Sequence, residues 1–175
     1  MSTAILPWHT DVLTSLQDTH AQDRLPHALG LTAPSGWGVA LLAEQLARAL
    51  LALPQTQPID EIAHPDLRWV VPDGATLKIK EIRDVRDYAV QTPQIAKLKV
   101  IVLVQAELLN REAANALLKT LEEPPPNTLL VLCSENWGRL LPTVRSRCQQ
   151  INLPCSQQLA LAWLQEQGLT ISAQA

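Results

Sequence analysis

From the amino terminus, apolar positions first repeat with a helical period: Trp8, Val12, Leu13 and Leu16 share one face of the stretch Pro7 to His20, with proline in the first turn, where its missing N–H costs nothing. A short apolar run, Ala28 to Ala33, stops at Pro34-Ser35-Gly36-Trp37-Gly38. Leu and Ala then dominate from Val39 to Leu53, with Glu44 and Arg48 one turn apart as an ion pair. Strand, glycine turn and helix are expected there. Pro54 to Pro65 shows no period and reads as a loop or a shortened insertion. Leu67 to Val71 is a short strand, and Ile79, Ile82, Val85 and Ala89 mark a helix bounded by Pro93.

Val100 to Val104 is apolar at both parities, as in a parallel strand covered on both faces. Asn110 offers an N-cap for a helix through Ala113, Leu117 and Leu121, which Pro124-Pro125-Pro126 must end. Thr128 to Ser134 is another strand, Leu140 to Arg147 holds a short helical piece, and Gln150 to Leu153 forms the last strand. Ser156 caps a final helix carrying Leu159, Leu161, Trp163 and Leu164 that Gly168 closes, and the residues after it read as a frayed or truncated end. Strands alternating with helices predict an α/β fold: a parallel sheet with helices on both faces and right-handed crossovers.

The 175 residues are 47% hydrophobic and 18% charged, which excludes intrinsic disorder. The formal net charge of -3 provides no global basic field for a phosphate backbone, so any nucleic-acid contact is local or shared with partners. Lys80, Glu81, Arg83, Asp84, Arg86 and Asp87 alternate in sign, as on a solvated helix face. No apolar stretch nears the roughly 20 residues that span a bilayer, and the first residues lack a secretory pattern; no membrane association and a cytoplasmic location are expected. Cys133, Cys148 and Cys155 are odd in number without a C-x-x-C pair, and the histidines are scattered. The thiols are expected as small buried hydrophobes, with no metal site.

The glycine turn stands where a phosphate-binding loop would sit. Laid on Ala33 to Ala40, the template G-x-x-x-x-G-K-[ST] keeps only Gly38: Ala33 replaces the first glycine, Val39 the lysine and Ala40 the hydroxyl residue. Losing one charge-assisted hydrogen bond costs roughly 1.5–3 kcal/mol, and the Mg²⁺ ligand is lost besides. After Val100 to Leu103, Val104 and Gln105 occupy the places where such an ATPase needs acidic residues; Glu107, two residues on, is expected to point elsewhere. Two parts of one site are missing together, so neither nucleotide cofactor nor hydrolysis is expected.

Asn115-Ala116-Leu117-Leu118-Lys119-Thr120-Leu121-Glu122-Glu123-Pro124-Pro125, followed by Leu140-Leu141-Pro142-Thr143-Val144-Arg145-Ser146-Arg147-Cys148, resembles the bacterial clamp-loader branch of the AAA+ proteins, the gamma/tau and delta-prime subunits of DNA polymerase III. His64-Pro65-Asp66 and Lys99-Val100 extend the likeness over roughly residues 7 to 165. The resemblance implies a P-loop-type AAA+ domain over 1–154 with a degenerate nucleotide loop, formed in part by Gly36 and Gly38, and the beginning of a truncated helical lid over 155–175. It also implies that Ser146-Arg147-Cys148 supplies an arginine finger, Arg147, in trans to the ATP site of an adjacent subunit, with Arg145 and Ser146 at that interface. A guanidinium suits the role because it is planar, permanently charged and grips phosphate oxygens with two donors.

Without Lys and Thr at 39 and 40 the chain looks like the non-hydrolysing, delta-prime-like kind of member. The implied partners are a gamma/tau-type ATPase subunit and a delta subunit, with the sliding clamp and primed DNA reached indirectly in DNA replication. Two departures stand out: Pro54 to His64 lacks the four-cysteine zinc module common in the family, and the likeness stops in the first helix of the lid, short of the collar domain through which such subunits form a ring. The alternatives are a divergent ATPase binding nucleotide through the backbone of Ser35 to Gly38, and a degenerate AAA+ adapter with no catalytic role. Trp37 is open to two roles, filling the vacated pocket or meeting a neighbour.

Overall fold

The computed structural model describes residues 5–168; the closing segment read as a frayed end lies outside them. Five strands, β1 (Ala28–Thr32), β2 (Leu67–Val70), β3 (Lys99–Leu103), β4 (Thr128–Ser134) and β5 (Gln149–Asn152), form one sheet in the order β2-β3-β4-β1-β5, with every pair parallel. The helices are α1 (Thr10–Ala21), α2 (Val39–Leu51), α3 (Ile79–Ala89), α4 (Arg111–Glu122), α5 (Pro142–Arg145) and α6 (Gln157–Glu166). The elements expected from the sequence are present, each within a few residues of its expected limits. Pro7–His9 is a 3-10 turn leading into α1, and a second such turn, Ile59–Glu61, interrupts the proline-rich loop.

Strand periodicity divides the core. Leu29, Leu31, Val100, Val102, Leu129, Val131 and Cys133 face α1 and α2, whereas Ala28, Ile101, Leu103, Leu130 and Leu132 face α3, α4 and α5. Burying each large aliphatic side chain contributes about 1.5–3 kcal/mol, so strands apolar at both parities are what a two-sided sheet requires. Gly30 is a necessary gap in this pattern: a Cβ there would stand 2.1 Å from Cη2 of Trp137, which fills the space.

Caps behave as the sequence predicts. Asn110 Oδ1 accepts from the Ala113 N–H at 2.8 Å and Ser156 Oγ from the Leu159 N–H at 3.4 Å. Gly168 takes φ +72°, the left-handed conformation that closes α6. The Glu44–Arg48 pair forms at 2.7 Å, but Arg48 is buried: its guanidinium also donates to the carbonyls of Pro54 and Gln57 and ties down the start of the proline-rich loop. Among the described residues no helix is long and apolar enough to cross a membrane.

Candidate functional site

Because the sheet is parallel, everything that follows a strand gathers at one end. Ala33 to Gly38 leave β1 there, beside the ends of β3 and β4, and a cleft of about 220 Å³ opens between Val39, Ala40, Val104, Gln105, Cys133, Ser134 and Glu135. This is where the degenerate loop was expected. Gly36 (φ +87°) and Gly38 (φ +78°) both need the left-handed region, which explains glycine at each. Val39 is only 4% exposed and joins the core beneath α2, and Ala40 adds a methyl group. The residues at the positions where the template has lysine and a hydroxyl therefore offer the cleft only hydrocarbon.

Across the cleft stand Val104 and Gln105. Val104 continues the ladder, its N–H donating to Val70 O at 2.9 Å, and Gln105 then turns into the left-handed region with φ +54°. Past that turn comes Glu107, which is not among the residues that line the cleft. Its carboxylate swings back over the end of β4, where Oε1 accepts from the Glu135 N–H at 3.1 Å and Oε2 is buried without a hydrogen-bond partner. Burial first, and the Glu107 charge second, push the Cys133 thiol far above its ordinary range, so this cleft cysteine is an inert hydrophobe. Cys148 is half-buried and its thiol is raised to about 11 by burial. Cys155 departs from expectation: it is exposed, because the short link between β5 and α6 runs over the surface.

Trp37 neither lines this cleft nor stands free. Its ring packs edge-on against Trp8 at 5.4 Å, and its carbonyl accepts from Trp8 Nε1 and from His9 Nε2, each at 3.0 Å. Trp8 in turn meets Trp163 of α6 at 5.9 Å. His9 is fully buried against Gly38; with Nε2 donating, Nδ1 is left without a partner, and burial lowers the ring's pKa. The N-terminal turn thus seals the outer side of the loop. Sequence reading gave Trp8 a place on a helix face but no sign of this role.

A second buried polar group was also missed. Asp66 is fully buried and its carboxylate accepts from the N–H groups of Gln94, Ile95 and Ala96 at 2.6–2.7 Å. Burial alone would raise its pKa; the three N–H donors and nearby His64 hold it below the usual carboxylate value. Buried Lys99 donates to the carbonyls of Tyr88 and Ala89 at the end of α3 and lies 4.6 Å from the centre of the Tyr88 ring. The Tyr88 hydroxyl, pushed up to about 12 chiefly by burial, donates to Pro65 O. The motif residues Asp66 and Lys99 are therefore supports for the turn between α3 and β3.

Arg145, Ser146 and Arg147 lie at the opposite end of the sheet. β5 pairs with β1 from Leu29↔Gln149 to Thr32↔Asn152, so a strand's length, about 13 Å at ~3.3 Å per residue, separates Arg147 from the glycine loop. Arg147 Nη1 donates to Thr143 O at 2.7 Å, Nη2 pairs with Glu122 Oε1 at 2.7 Å, and the side chain is 34% exposed. Ser146 Oγ donates to Thr143 O at 3.2 Å, and Arg145 is half-buried, with its Nε unpartnered. The structure therefore groups Ala33, Gly36, Gly38, Val39, Ala40, Val104 and Gln105 at one end and Arg145 to Arg147 at the other.

The sheet order, the glycine turn after β1 and helices on both faces define an α/β unit of the AAA+ type. A gamma subunit-related DNA polymerase III protein from Thermotoga maritima shares this fold, with TM-score 0.69 and 21% identity over 90% of this chain and 49% of that one. A family profile described as DNA polymerase III, delta subunit, matches residues 8–157. Among curated relatives, DNA polymerase III subunit delta' of Haemophilus influenzae is 33% identical over 95% of this chain and 54% of its own length. That of Pseudomonas aeruginosa is 38% identical over 91% and 52%. The chain belongs to the DNA polymerase III delta-prime family, and it spans about half the length of those relatives.

Proposed function

We propose that this chain is the AAA+ portion of a delta-prime-like clamp-loader subunit of DNA polymerase III, one that does not hydrolyse nucleotide and lends Arg147 to the ATP site of a gamma/tau-type neighbour. Residues 1–154 form the degenerate nucleotide-binding domain, and α6 begins the helical lid. The observation that carries the reading is the position of Arg147: a partly exposed guanidinium at the sheet end opposite its own loop is too far from that loop to serve it and is open to a neighbouring molecule. The cleft, where Val39, Ala40, Val104 and Gln105 offer neither an ammonium nor a carboxylate, supports the non-hydrolysing half. In the assembled loader the gamma/tau and delta subunits are its partners, and the sliding clamp and primed DNA are contacted through the complex.

The test uses the full-length subunit carrying Arg147→Ala, reconstituted with its ATPase neighbours. Turnover at the adjoining site should fall by about 10³ or more, the size of an arginine-finger effect, while the complex still assembles. An unchanged rate would refute the assignment. Calorimetric titration of the isolated subunit with Mg-ATP to low millimolar should show no binding.

A further inference from the structure

An arginine finger must have a free edge of its guanidinium to grip a phosphate with two donors. In this structure that edge is occupied. Thr143 O holds Nη1 from within the subunit's own short helix, which leaves the Nε/Nη2 edge for a phosphate, and it is Nη2 that Glu122 Oε1 takes at 2.7 Å. Ser146 Oγ adds a longer contact to Nη1 at 3.4 Å.

Glu122 is placed to hold and also to release. It is the last residue of α4, where a carboxylate opposes the negative end of the helix dipole, so a cation beside it is favourable. The pair is partly exposed, with side chains 34% and 48% accessible, and such pairs are weak. A nucleotide triphosphate carries several negative charges against the single charge of Glu122, and it presents oxygens that fit a two-donor grip.

We propose that Glu122 is a latch on the finger, pairing with Arg147 in the free subunit and yielding it only to the polyanionic phosphates of a loaded neighbour. The proposal rests on the finger reading above and adds its regulation. Glu122 acts through Arg147 and is a positioning residue. Its effect is to delay engagement until the neighbouring site holds nucleotide, which lowers futile docking of the finger on an empty site.

The experiment compares full-length subunits carrying Glu122→Gln, Arg147→Ala, both together, and Glu123→Gln, the last being an exposed neighbour that matches the charge change. ATP turnover of the reconstituted loader is followed against subunit concentration. Glu122→Gln should lower the half-saturating concentration by about two- to fivefold, the range an exposed ion pair allows, and should have no effect on an Arg147→Ala background. In the isolated subunit, an arginine-selective dicarbonyl reagent should modify Arg147 faster by a similar factor in Glu122→Gln, read by peptide mass spectrometry. Equal shifts from Glu123→Gln, a raised half-saturating concentration, or unchanged Arg147 reactivity would overturn the latch. Full turnover with Arg147→Ala would instead remove the finger reading itself, even where the reactivity change in the isolated subunit persists.

Discussion

The indole N–H of Trp8 donates to the main-chain carbonyl of Trp37 at 3.0 Å, so a residue of the N-terminal turn fastens the loop after β1. The same Trp8 ring meets Trp37 on one side and Trp163 of α6 on another, both edge-on. Three segments distant in sequence are thereby joined through one buried side chain. The arrangement fixes the loop from outside, where His9 also donates to the Trp37 carbonyl.

Trp8→Phe keeps most of the apolar surface and loses the donor, a change worth about 1 kcal/mol. Trp8→Ala opens a cavity beneath the loop and should cost about 3–5 kcal/mol. Urea midpoints measure the difference, and amide exchange at Trp37 and Gly38 should quicken in both variants. Equal midpoints for the two would mean that ring packing contributes little.

Gly30→Ala should be among the most damaging single-methyl additions in the protein. The new Cβ would lie 2.1–2.7 Å from three atoms of the Trp137 ring, and β1 is held between β4 and β5 and cannot shift aside. Overpacking of this severity costs about 3 kcal/mol or more. Trp137→Leu in the same chain should recover part of the loss, because it removes the atoms that clash. Thermal unfolding of the three proteins checks both claims.

The fold was legible because its information is periodic and local. Val100 to Val104 and Thr128 to Ser134 announce two-sided strands, and Asn110 and Ser156 announce helix starts that the hydrogen bonds bear out. The apolar or uncharged side chains at Val39, Ala40, Val104 and Gln105 were legible for a different reason: residue type needs no coordinates to notice. What stayed hidden depends on how separate segments meet. His64-Pro65-Asp66 and Lys99 could be picked out as motif residues, yet nothing in their spacing shows that Asp66 caps a turn about 30 residues away. The bond from the Glu135 N–H to Glu107 was hidden for the same reason, since it joins segments 28 residues apart. Glu122 gave no signal toward Arg147, since their pairing spans α4, the prolines and β4.

Asp66 makes stability depend on acid. Its pKa is lowered in the folded protein, so its contribution is present above the unfolded value of about 3.9 and is lost as pH falls through the lower folded value. Asp66→Asn keeps the shape but replaces an acceptor-only group with an amide facing three N–H donors, and should cost about 3 kcal/mol at neutral pH. The gap between the urea midpoints of the two proteins should begin to narrow as pH falls below about 4 and keep closing toward the lowered folded value. A gap that stays constant down to pH 2 would assign the effect to packing alone.

Rebuilding the loop by Val39→Lys with Ala40→Thr should not restore an ATPase. Val39 is 4% exposed, so the new ammonium must leave the core at some cost before it can face the cleft. The cleft itself, at about 220 Å³, is smaller than the roughly 300–1,000 Å³ of ordinary small-molecule sites. Val104 and Gln105 still provide no carboxylate for Mg²⁺, and Oε1 of Glu107 is already committed to the Glu135 N–H. The double variant should therefore gain at most weak phosphate binding, near the millimolar limit that calorimetry detects, with no release of inorganic phosphate. Turnover by that variant would show that Glu135 or Glu107 can take the acidic role at the end of β4, and the divergent-ATPase reading would then displace the one proposed.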